Sequence, residues 1–269
     1  MKDLPPVLSI AGSDNSAGAG IQADLKTMSA LGVYGLTAVT CVVAEVPGKV
    51  SLIQGLEPAI VAEQIRLSFE AFPVRAVKTG MQYSPAILRA VVETLAVVRD
   101  PEVPLVVDPV MVATSGHRLM ALEALEVYQT GLFPRATLIT PNLDEAAVLV
   151  GREIFTREAM REAGLGLVGE FGVAFLMKGG HLKGETAADL LLLPDGSEHW
   201  FEAPFVHGVS THGTGCTYSA AIAAELGKGV CLVEAVASAK RYLSRAVGAY
   251  LRWENADKNT DALHHFARM

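Results

Sequence analysis

Short apolar runs alternate along this chain with longer stretches in which apolar residues recur every three or four positions. The short runs are rich in branched residues and end at Gly, Asp, Pro or Lys, which is typical of buried β-strands. They lie at residues 7–10, 36–43, 75–77, 105–107, 137–139 and 173–177. Strands that alternate regularly with helices predict a mostly parallel sheet covered by helices on both faces.

The longer stretches have the period of amphipathic helices. Their apolar positions are Ile21, Leu25, Met28 and Leu31, then Ile60, Ile65 and Phe69, then Ile87, Val91, Leu95 and Val98, and finally Val236, Leu243, Val247 and Leu251. Residues 190–193 and 199–201 flank a Pro-Asp-Gly turn and predict a late antiparallel hairpin at the sheet edge. Because no linker, repeat or low-complexity segment divides residues 1–269, we expect one domain.

This arrangement predicts where a ligand binds. In open α/β sheets the ligand site lies beyond the carboxyl ends of the parallel strands, where the loops meet. Polar groups follow the predicted strands at residues 12–14, 45, 78–80, 108, 142, 178–181 and 211–216. Their common location indicates one functional site more strongly than any single motif does.

Composition and charge exclude several classes of protein. Acidic residues outnumber basic ones by 29 to 22, and no basic run is present that could follow a nucleic-acid backbone, so we expect no nucleic-acid partner. The first residues lack a signal-peptide pattern, and no apolar run reaches the roughly 20 residues of a membrane helix. We therefore expect no membrane partner. The three cysteines are odd in number and have no metal-ligand spacing, which favours a reduced, cytoplasmic protein.

A glycine-rich turn, Ser-Thr-His-Gly-Thr-Gly-Cys-Thr at residues 210–217, precedes an Ala-rich predicted helix at residues 218–226. Gly213 and Gly215 permit a tight turn with converging N–H groups, to which the helix adds its positive end. Such a turn forms an anion hole for a transferring phosphoryl group. The alternative is an ordinary connection between a strand and a helix.

Cys216 falls in the first turn of this predicted helix. That position is expected to lower the pKa of the thiol, so that the thiolate accepts the proton of an attacking alcohol as a general base. The alternative is a small buried apolar residue, which is a common role for a free cysteine.

Two other segments offer groups for a phosphate and a metal ion. Lys178 ends a predicted strand beside two glycines, where it either reaches a phosphate or is a solvated side chain. Asn142 is a good N-cap for a helix that opens with acidic residues, and this role alone explains the segment. A functional interpretation places Asn142 and Glu145 on one helical face, where they organise the waters around Mg²⁺ together with Asp108.

Two common nucleotide-binding motifs are not supported. Gly18 and Gly20 start a dinucleotide-binding pattern, but position 23 is Ala23, and no acidic residue follows about 20 positions later. A phosphate-loop NTPase would need Gly-Lys-Ser or Gly-Lys-Thr, which the sequence lacks.

Several segments in order resemble those of one family, at residues 11–14, 17–27, 140–146, 177–181 and 212–217. The chain resembles the bacterial hydroxymethylpyrimidine kinase/phosphomethylpyrimidine kinase of thiamine biosynthesis from about Val7 to about Tyr250. This resemblance implies a ribokinase-like three-layer α/β/α sandwich with a mostly parallel central sheet, usually a homodimer. It also implies two ATP-dependent phosphorylations, of 4-amino-5-hydroxymethyl-2-methylpyrimidine and then of its monophosphate.

The resemblance further implies the roles of individual residues. The pyrimidine would bind near Gly12, Ala19, Asp24, Val43, Glu45, Met81 and Val110. The ATP phosphates would lie near Asp108, Thr140, Asn142, Lys178 and Thr214, with Mg²⁺ held largely through water by Asp108, Asn142 and Glu145. Catalysis would use Lys178, Gly213, Gly215 and Cys216. Because an Asp base usually occupies the Cys216 position in the wider superfamily, the resemblance favours a base at that thiol.

Position 45 departs from the usual pattern of the family, in which many relatives have Gln where this chain has Glu45. A Gln amide donates and accepts hydrogen bonds, whereas an ionised Glu only accepts. We expect either that Glu45 accepts from the amino group while pairing with a protonated ring nitrogen, or that selectivity between the alcohol and its monophosphate is altered. The tail also departs, and residues 254–266 are expected to form an ordered surface tail.

Two alternatives to this function remain at the sequence level. A kinase of the same fold could phosphorylate a B6 vitamer such as pyridoxal, and its differences would lie in pocket residues such as Glu45 and Met81. A non-catalytic sensor of the pyrimidine would have lost Lys178, Cys216 or a turn glycine, but all of these are present.

Overall fold

A computed structural model describes residues 4–111, 122–180, 182, 186–209, 212–254 and 259–267. His181, Ser210, Thr211 and residues 255–258, which belong to segments discussed above, lie outside the described residues.

Within the described ranges, nine strands form one mixed sheet. They are β1 (Pro6–Asp14), β2 (Tyr34–Val46), β3 (Lys49–Gly55), β4 (Ala76–Thr79), β5 (Leu105–Val107), β6 (Leu138–Ile139), β7 (Ala174–Gly179), β8 (Thr186–Leu192) and β9 (Glu198–Pro204). Their order is β3-β2-β1-β4-β5-β6-β7-β8-β9. The strands from β2 to β7 in this order are parallel, and β3, β8 and β9 are antiparallel to their neighbours. The parallel core and the late hairpin β8–β9 are therefore confirmed.

Helices cover both faces of this sheet. They are α1 (Gly20–Ala30), α2 (Pro58–Ala71), α3 (Pro85–Val98), α4 (Leu122–Val127), α5 (Leu143–Val150), α6 (Arg157–Phe171), α7 (Thr214–Gly227) and α8 (Leu232–Gly248). The core of one face packs against α1, α7 and α8, and the core of the other packs against α2 to α6. This is the expected three-layer α/β/α sandwich. Across the described ranges, no helix is long and apolar enough to cross a membrane.

Helix α7 is positioned by burial on all sides. Every residue from Thr217 to Gly227 is buried, and most of them are Ala or other small residues. A helix that is apolar all round belongs in a core, and small side chains let it approach the sheet closely. A Cβ atom at Gly227, for example, would lie 2.6 Å from Val7 Cγ2. The close packing fixes the first turn of α7 at the ends of the parallel strands.

Two apolar positions were predicted wrongly. Leu251 was expected on the closing helix, but α8 ends at Gly248, and Leu251 begins β10 (Leu251–Trp253), which pairs with β11 (Thr260–Ala262). Ile60 was expected on a buried helix face and is 52% exposed, whereas Val61 and Ile65 are fully buried. Both errors follow from counting apolar residues at helical spacing without knowing which side of the helix meets the sheet.

The described end of the C-terminal segment, residues 259–267, is not simply a surface tail. His265 is buried, and its Nε2 lies 3.1 Å from the hydroxyl of Thr217 in α7. Tyr242 of α8 donates a hydrogen bond of 2.8 Å to the backbone carbonyl of His265. Burial lowers the pKa of His265 to about 4, so the imidazole is neutral near pH 7. The segment therefore links the two helices that cover one face of the sheet.

Candidate active site

A cavity of about 470 Å³ opens at the carboxyl ends of the parallel strands. Most of the residues predicted from the sequence contribute to its wall. They are Gly12, Ala19, Val43, Glu45, Met81, Asp108, Val110, Asn142, Glu145, Lys178, Gly213, Thr214, Gly215 and Cys216. The fold thus brings groups from distant parts of the chain into one site.

Two predicted site residues, Asp24 and Thr140, do not line this cavity. Asp24 is fully buried on α1, where its carboxylate accepts hydrogen bonds from Lys78 and Ser9, so its side chain is not part of the cavity wall. Thr140 is 1% exposed, and its hydroxyl lies 3.3 Å from Asp108 Oδ1. Thr140 therefore contacts a residue of the cavity wall without lining the cavity itself.

The glycine turn before α7 has a backbone that only glycine fits. Gly213 has a φ of +82° at the N-cap of α7, a conformation that costs a residue with a Cβ atom free energy. A Cβ there would also lie 1.8 Å from the carbonyl oxygen of Gly18. A Cβ at Gly215 would lie 3.2 Å from Lys178 Nζ. The glycines therefore let the N-terminus of α7 face the cavity beside a lysine.

Lys178 and Asp108 form an ion pair next to this turn. Lys178 Nζ lies 2.9 Å from Asp108 Oδ1, and the hydroxyl of Ser219 donates to Asp108 Oδ2 over 3.2 Å. Burial alone would raise the pKa of Asp108, but Lys178 and Lys78 hold it below its usual range. Burial opposes the charge of Lys178, yet Asp108 and Glu145 raise its pKa above the usual value. Both groups are therefore charged, and the ammonium is available to an anion in the cavity.

Asn142 and Glu145 form a capping box at the start of α5. The Glu145 N–H donates to Asn142 Oδ1, and the Asn142 N–H donates to Glu145 Oε2, each over 2.9 Å. Burial raises the pKa of Glu145 to about 7, with Lys178 opposing and Asp108 adding to the shift. The structural role predicted for this segment is confirmed, and both side chains also face the cavity.

Cys216 is partly exposed in the wall of the cavity. Its sulfur accepts a hydrogen bond from the N–H of Gly20, the first residue of α1. Burial raises the pKa of the thiol to about 11. The Lys78 ammonium opposes this shift, whereas the carboxylates of Asp24 and Asp108 add to it. The expected lowering of this pKa is therefore wrong, since the Lys78 ammonium and the Gly20 N–H do not offset burial and nearby negative charge.

One ionic cluster in the cavity wall was missed from the sequence. The side chains of Asp14, Glu45 and His212 approach one another within 4.8 Å, and His212 Nε2 lies 3.1 Å from Asp14 Oδ2. That oxygen also accepts the N–H groups of Gly18 and Ala19, at 3.1 and 2.8 Å. The hydroxyl of Ser16 donates to the same oxygen over 3.0 Å, and an oxygen already surrounded by four groups in this way suits an ion pair better than metal coordination. The cluster ties the turn before α7 to the loop after β1.

The other end of the cavity was also missed. Leu243 and Val247 of α8 line it, together with an ion pair in which Lys240 Nζ lies 2.6 Å from Asp189 Oδ2. The sequence shows these apolar residues only as one face of an amphipathic helix, which the pattern cannot distinguish from a core-facing surface. Their position beyond the glycine turn extends the cavity away from Glu45.

Residues 14–261 match the family described as phosphomethylpyrimidine kinase. The chain belongs to this family. The kinase is 44% identical to the hydroxymethylpyrimidine/phosphomethylpyrimidine kinase of Rhizobium meliloti over 97% of both chains. It is 45% identical over 90% of its length to a thiamine biosynthesis bifunctional protein of Geobacter sulfurreducens, and it spans about half (49%) of that longer protein.

Solved structures show the same fold. Bacillus subtilis pyridoxal kinase, determined as an ADP complex, superposes on this kinase with a TM-score of 0.89 at 33% identity and covers 98% of both chains. Phosphomethylpyrimidine kinase from Clostridium difficile gives a TM-score of 0.78 at 40% identity over 90% of this chain and 99% of that one. Pyridoxal kinase from Staphylococcus aureus, in complex with AMP-PCP and pyridoxal, gives 0.87 at 31% identity over 98% of this chain and 94% of that one.

Proposed function

We propose that this kinase transfers the γ-phosphoryl group of ATP to 4-amino-5-hydroxymethyl-2-methylpyrimidine, and then to the resulting monophosphate, in thiamine biosynthesis. The observation that carries this proposal is the continuity of the cavity. One space joins Glu45, the glycine turn with Lys178, and the apolar end at Leu243. An acceptor, a transferring phosphoryl group and a nucleotide can therefore lie in line.

The acceptor is placed at the end of the cavity formed by β1, β2 and the loops after β4 and β5. Gly12 and Ala19 line this end with little side-chain volume, and Gly12 packs closely on buried Cys41, because a Cβ there would lie 2.8 Å from Cys41 Sγ. Val43 and Met81 supply apolar contacts, and Glu45 supplies an acceptor for an amino group. The set fits an aminopyrimidine with a hydroxymethyl group directed at Cys216.

The nucleotide is placed at the other end. Its phosphates face the N–H groups at the start of α7 and the ammonium of Lys178, which suit negative charge. Its base lies against the apolar side chains of Leu243 and Val247. Along the cavity, the phosphate-binding groups therefore come first and the apolar contacts for the base come after them, in the order in which ATP carries its phosphates and its base.

The acidic residues beside Lys178 fit a hydrated Mg²⁺ ion. Oxygens of Asp108, Asn142 and Glu145 face the cavity, and oxygen is the ligand that Mg²⁺ prefers. These oxygens already accept hydrogen bonds from protein groups, so they would hold the ion largely through water. When bound, Mg²⁺ supplies charge neutralisation at the phosphates.

Phosphoryl transfer requires mainly alignment and charge stabilisation. The acceptor oxygen forms a bond to the γ-phosphorus while the bond from that phosphorus to the bridging oxygen breaks, and ADP leaves. Lys178 and the turn N–H groups stabilise the charge of the moving group. The proton of the hydroxyl passes to the thiolate form of Cys216, which is the minor form near pH 7 because the pKa of the thiol is raised to about 11.

An ATP-consumption assay tests this function with hydroxymethylpyrimidine, its monophosphate and pyridoxal offered in parallel. We expect turnover of the first two, and about a 100-fold or larger loss of kcat in Lys178→Met, since one charge-stabilising donor contributes that much. Glu158→Gln, an exposed change on α6, should leave kcat unchanged. A strong preference for pyridoxal would overturn the proposal.

Pyridoxal is the second candidate acceptor because of a specific observation. The pyridoxal kinases of B. subtilis and S. aureus superpose on this chain with TM-scores of 0.89 and 0.87. The same assay separates the two substrates.

We also propose that the kinase is a homodimer and works in the cytoplasm. The β2–β3 hairpin lines the cavity with one face, and its other face exposes Val42, Val46 and Leu52, which are 50%, 52% and 72% exposed. Contiguous exposed apolar side chains indicate an interaction surface, and a second copy is the partner we propose. A supply of ATP and a free catalytic thiol both suit the cytoplasm.

A further inference from the structure

Lys78 is a fully buried lysine with no role in the function proposed above. It lies near the end of β4 with an exposure of 0%, and its Nζ lies 3.0 and 2.8 Å from the two carboxylate oxygens of Asp24. The hydroxyl of Ser9 donates to the same carboxylate over 2.6 Å. Burying two charges costs several kcal/mol for each ion, and an apolar pair of similar volume is often as stable. Stability alone therefore gives no reason for this ion pair.

The ion pair lies directly beneath the acceptor end of the cavity. A Cβ at Gly80 would lie 2.9 Å from Lys78 Nζ and 3.0 Å from the Cβ of Ala11, which lines the cavity. Asp24 lies one turn beyond Gly20 on α1, and the N–H of Gly20 donates to Cys216 Sγ. A single helical turn thus separates the ion pair from the thiol.

Four charged groups surround the Cys216 thiol, each from a different element. They are Lys78 on β4, Asp24 on α1, Asp108 after β5 and Lys178 on β7. The ammonium of Lys78 has a larger effect on the pKa of the thiol than the carboxylate of Asp24 has. Burial opposes the charge of Lys78, but Asp24 raises the pKa of its ammonium well above the usual value, so the positive charge beneath Cys216 is permanent.

We propose that Lys78 is a positioning residue, whose buried ammonium, held in place by Asp24, determines how readily Cys216 ionises to accept the proton of the acceptor hydroxyl. This inference rests on the proposed role of Cys216 in phosphoryl transfer. The proton moves from the hydroxyl oxygen to the thiolate sulfur as the new O–P bond forms. Lys78 touches no substrate and acts only through the charge of the sulfur.

The rate of alkylation of Cys216 by iodoacetamide measures this effect without any substrate. At pH 8 the thiolate is the reactive form, so a shift of one unit in the thiol pKa changes the rate by about tenfold, less a correction for nucleophilicity. Lys78→Met should slow alkylation, and Asp24→Asn should speed it, each by about tenfold. The exposed Cys231 is replaced by Ser in every protein, and mass spectrometry of peptides separates Cys216 from the buried Cys41.

The opposite signs distinguish electrostatics from packing. Both substitutions break the same ion pair, so a loosened structure would speed alkylation in both variants. Lys228→Met is the matched control, because Lys228 pairs with Glu225 at the far end of α7, and it should leave the rate unchanged. Equal directions of change in the two variants, or a rate in Lys78→Met as high as in the wild type, would overturn the proposal.

The double variant Lys78→Met/Asp24→Asn covers the case in which a lone buried charge prevents folding. It carries neither charge, and its thermal unfolding curve shows whether it folds. We expect slower alkylation than in the wild type, because the effect of Lys78 is the larger one. A rate equal to or above that of the wild type would contradict the inference.

Kinase activity adds a second measurement. The acid limb of the plot of kcat against pH should move to higher pH in Lys78→Met and to lower pH in Asp24→Asn. An unmoved limb in both variants would contradict the inference. If the alkylation rates change as expected but the pyrimidine alcohol is not phosphorylated, the proposed substrate is wrong and the effect of Lys78 on the thiol stands.

Discussion

Glu45 brings a carboxyl group into the part of the cavity that we assign to the pyrimidine. Burial raises its pKa, Asp14 adds to the shift, and His212 opposes it. The side chain is therefore sensitive to the charge of whatever binds beside it. The two acceptors of the proposed reactions differ in charge, because the monophosphate is anionic and the alcohol is not.

Glu45→Gln should shift selectivity toward the monophosphate. The substitution removes one negative charge near the acceptor and adds an N–H donor, and a changed polar contact of about 1–1.5 kcal/mol corresponds to roughly tenfold. The measurement is the ratio of kcat/KM for the two acceptors. The exposed change Glu158→Gln is the control, and a ratio that stays constant in Glu45→Gln would refute the role of this carboxyl.

His212 should stabilise the fold in a pH-dependent way. Its hydrogen bond to Asp14 raises its pKa against the effect of burial, so its contribution is complete below the unfolded pKa of 6.5 and is lost as the pH rises through the folded pKa. Burial opposes the shift of Asp14, but hydrogen bonds from His212 and Ser16 lower its pKa from 3.8 to about 2. The contribution of Asp14 is therefore lost as the pH falls from about 4 to about 2.

Urea unfolding of the wild type and His212→Asn tests this window. The difference in free energy of unfolding should be about 1–3 kcal/mol, typical for a charged hydrogen bond, between about pH 4 and 6.5. It should shrink on both sides of that range. His199→Asn on β9 is the control, and a difference independent of pH would exclude the ion pair.

At the residue scale, the sequence predicted which side chains line the cavity better than it predicted their charge states. Lys178 and Cys216 lie where their motifs indicated. The pKa of Cys216 was predicted in the wrong direction because burial and the Asp24 carboxylate come from the folded chain. His212 was not assigned because its partner Asp14 is 198 positions away.

At the element scale, the turn into α7 depends on the backbone of Gly213. Gly229 offers a matched control, since its φ of +85° is nearly the same as the +82° of Gly213. A Cβ at Gly229 would meet nothing within 4 Å, whereas at Gly213 it would lie 1.8 Å from the Gly18 carbonyl oxygen. The two glycines therefore share the conformational strain and differ only in the clash.

Gly213→Ala should lower kcat by about 100-fold, because displacing the turn removes N–H donors from the phosphoryl group. Gly229→Ala should cost about 1 kcal/mol of stability from its left-handed backbone and leave kcat unchanged. Steady-state kinetics and thermal unfolding of both variants provide the measurement. Equal losses of kcat in the two would show that the strain, and not the clash, matters.

The order of strands and helices was predictable because the central parallel strands, such as β5, are buried on both faces and read as continuous apolar runs. β5 matches its prediction at both ends. β3 was not predicted, because five of its seven residues are exposed and its composition does not alternate as a half-buried strand should. β3 is a strand because it pairs with β2 and lines the cavity. Neither contact can be inferred from the sequence of β3 alone.

At the scale of the whole molecule, the exposed face of the β2–β3 hairpin should decide the oligomeric state. Leu52→Lys places a charge in the middle of the proposed interface and should convert a dimer to a monomer in light scattering after gel filtration. Val97→Lys is the control, because Val97 is an isolated apolar residue on α3 that is 86% exposed. A dimer that survives Leu52→Lys would place the interface elsewhere.

The late position of α7 and α8 in the chain has a consequence for synthesis on the ribosome. The face of the sheet that they cover includes Val7, Ala76, Val106 and Leu138, all fully buried in the finished protein. These strands emerge well before α7, which begins at Thr214. At about 5–20 residues per second, an early strand waits roughly 10–40 s for its cover. During that time the nascent sheet presents an apolar surface, so this kinase is expected to be a client of the chaperones that bind emerging chains.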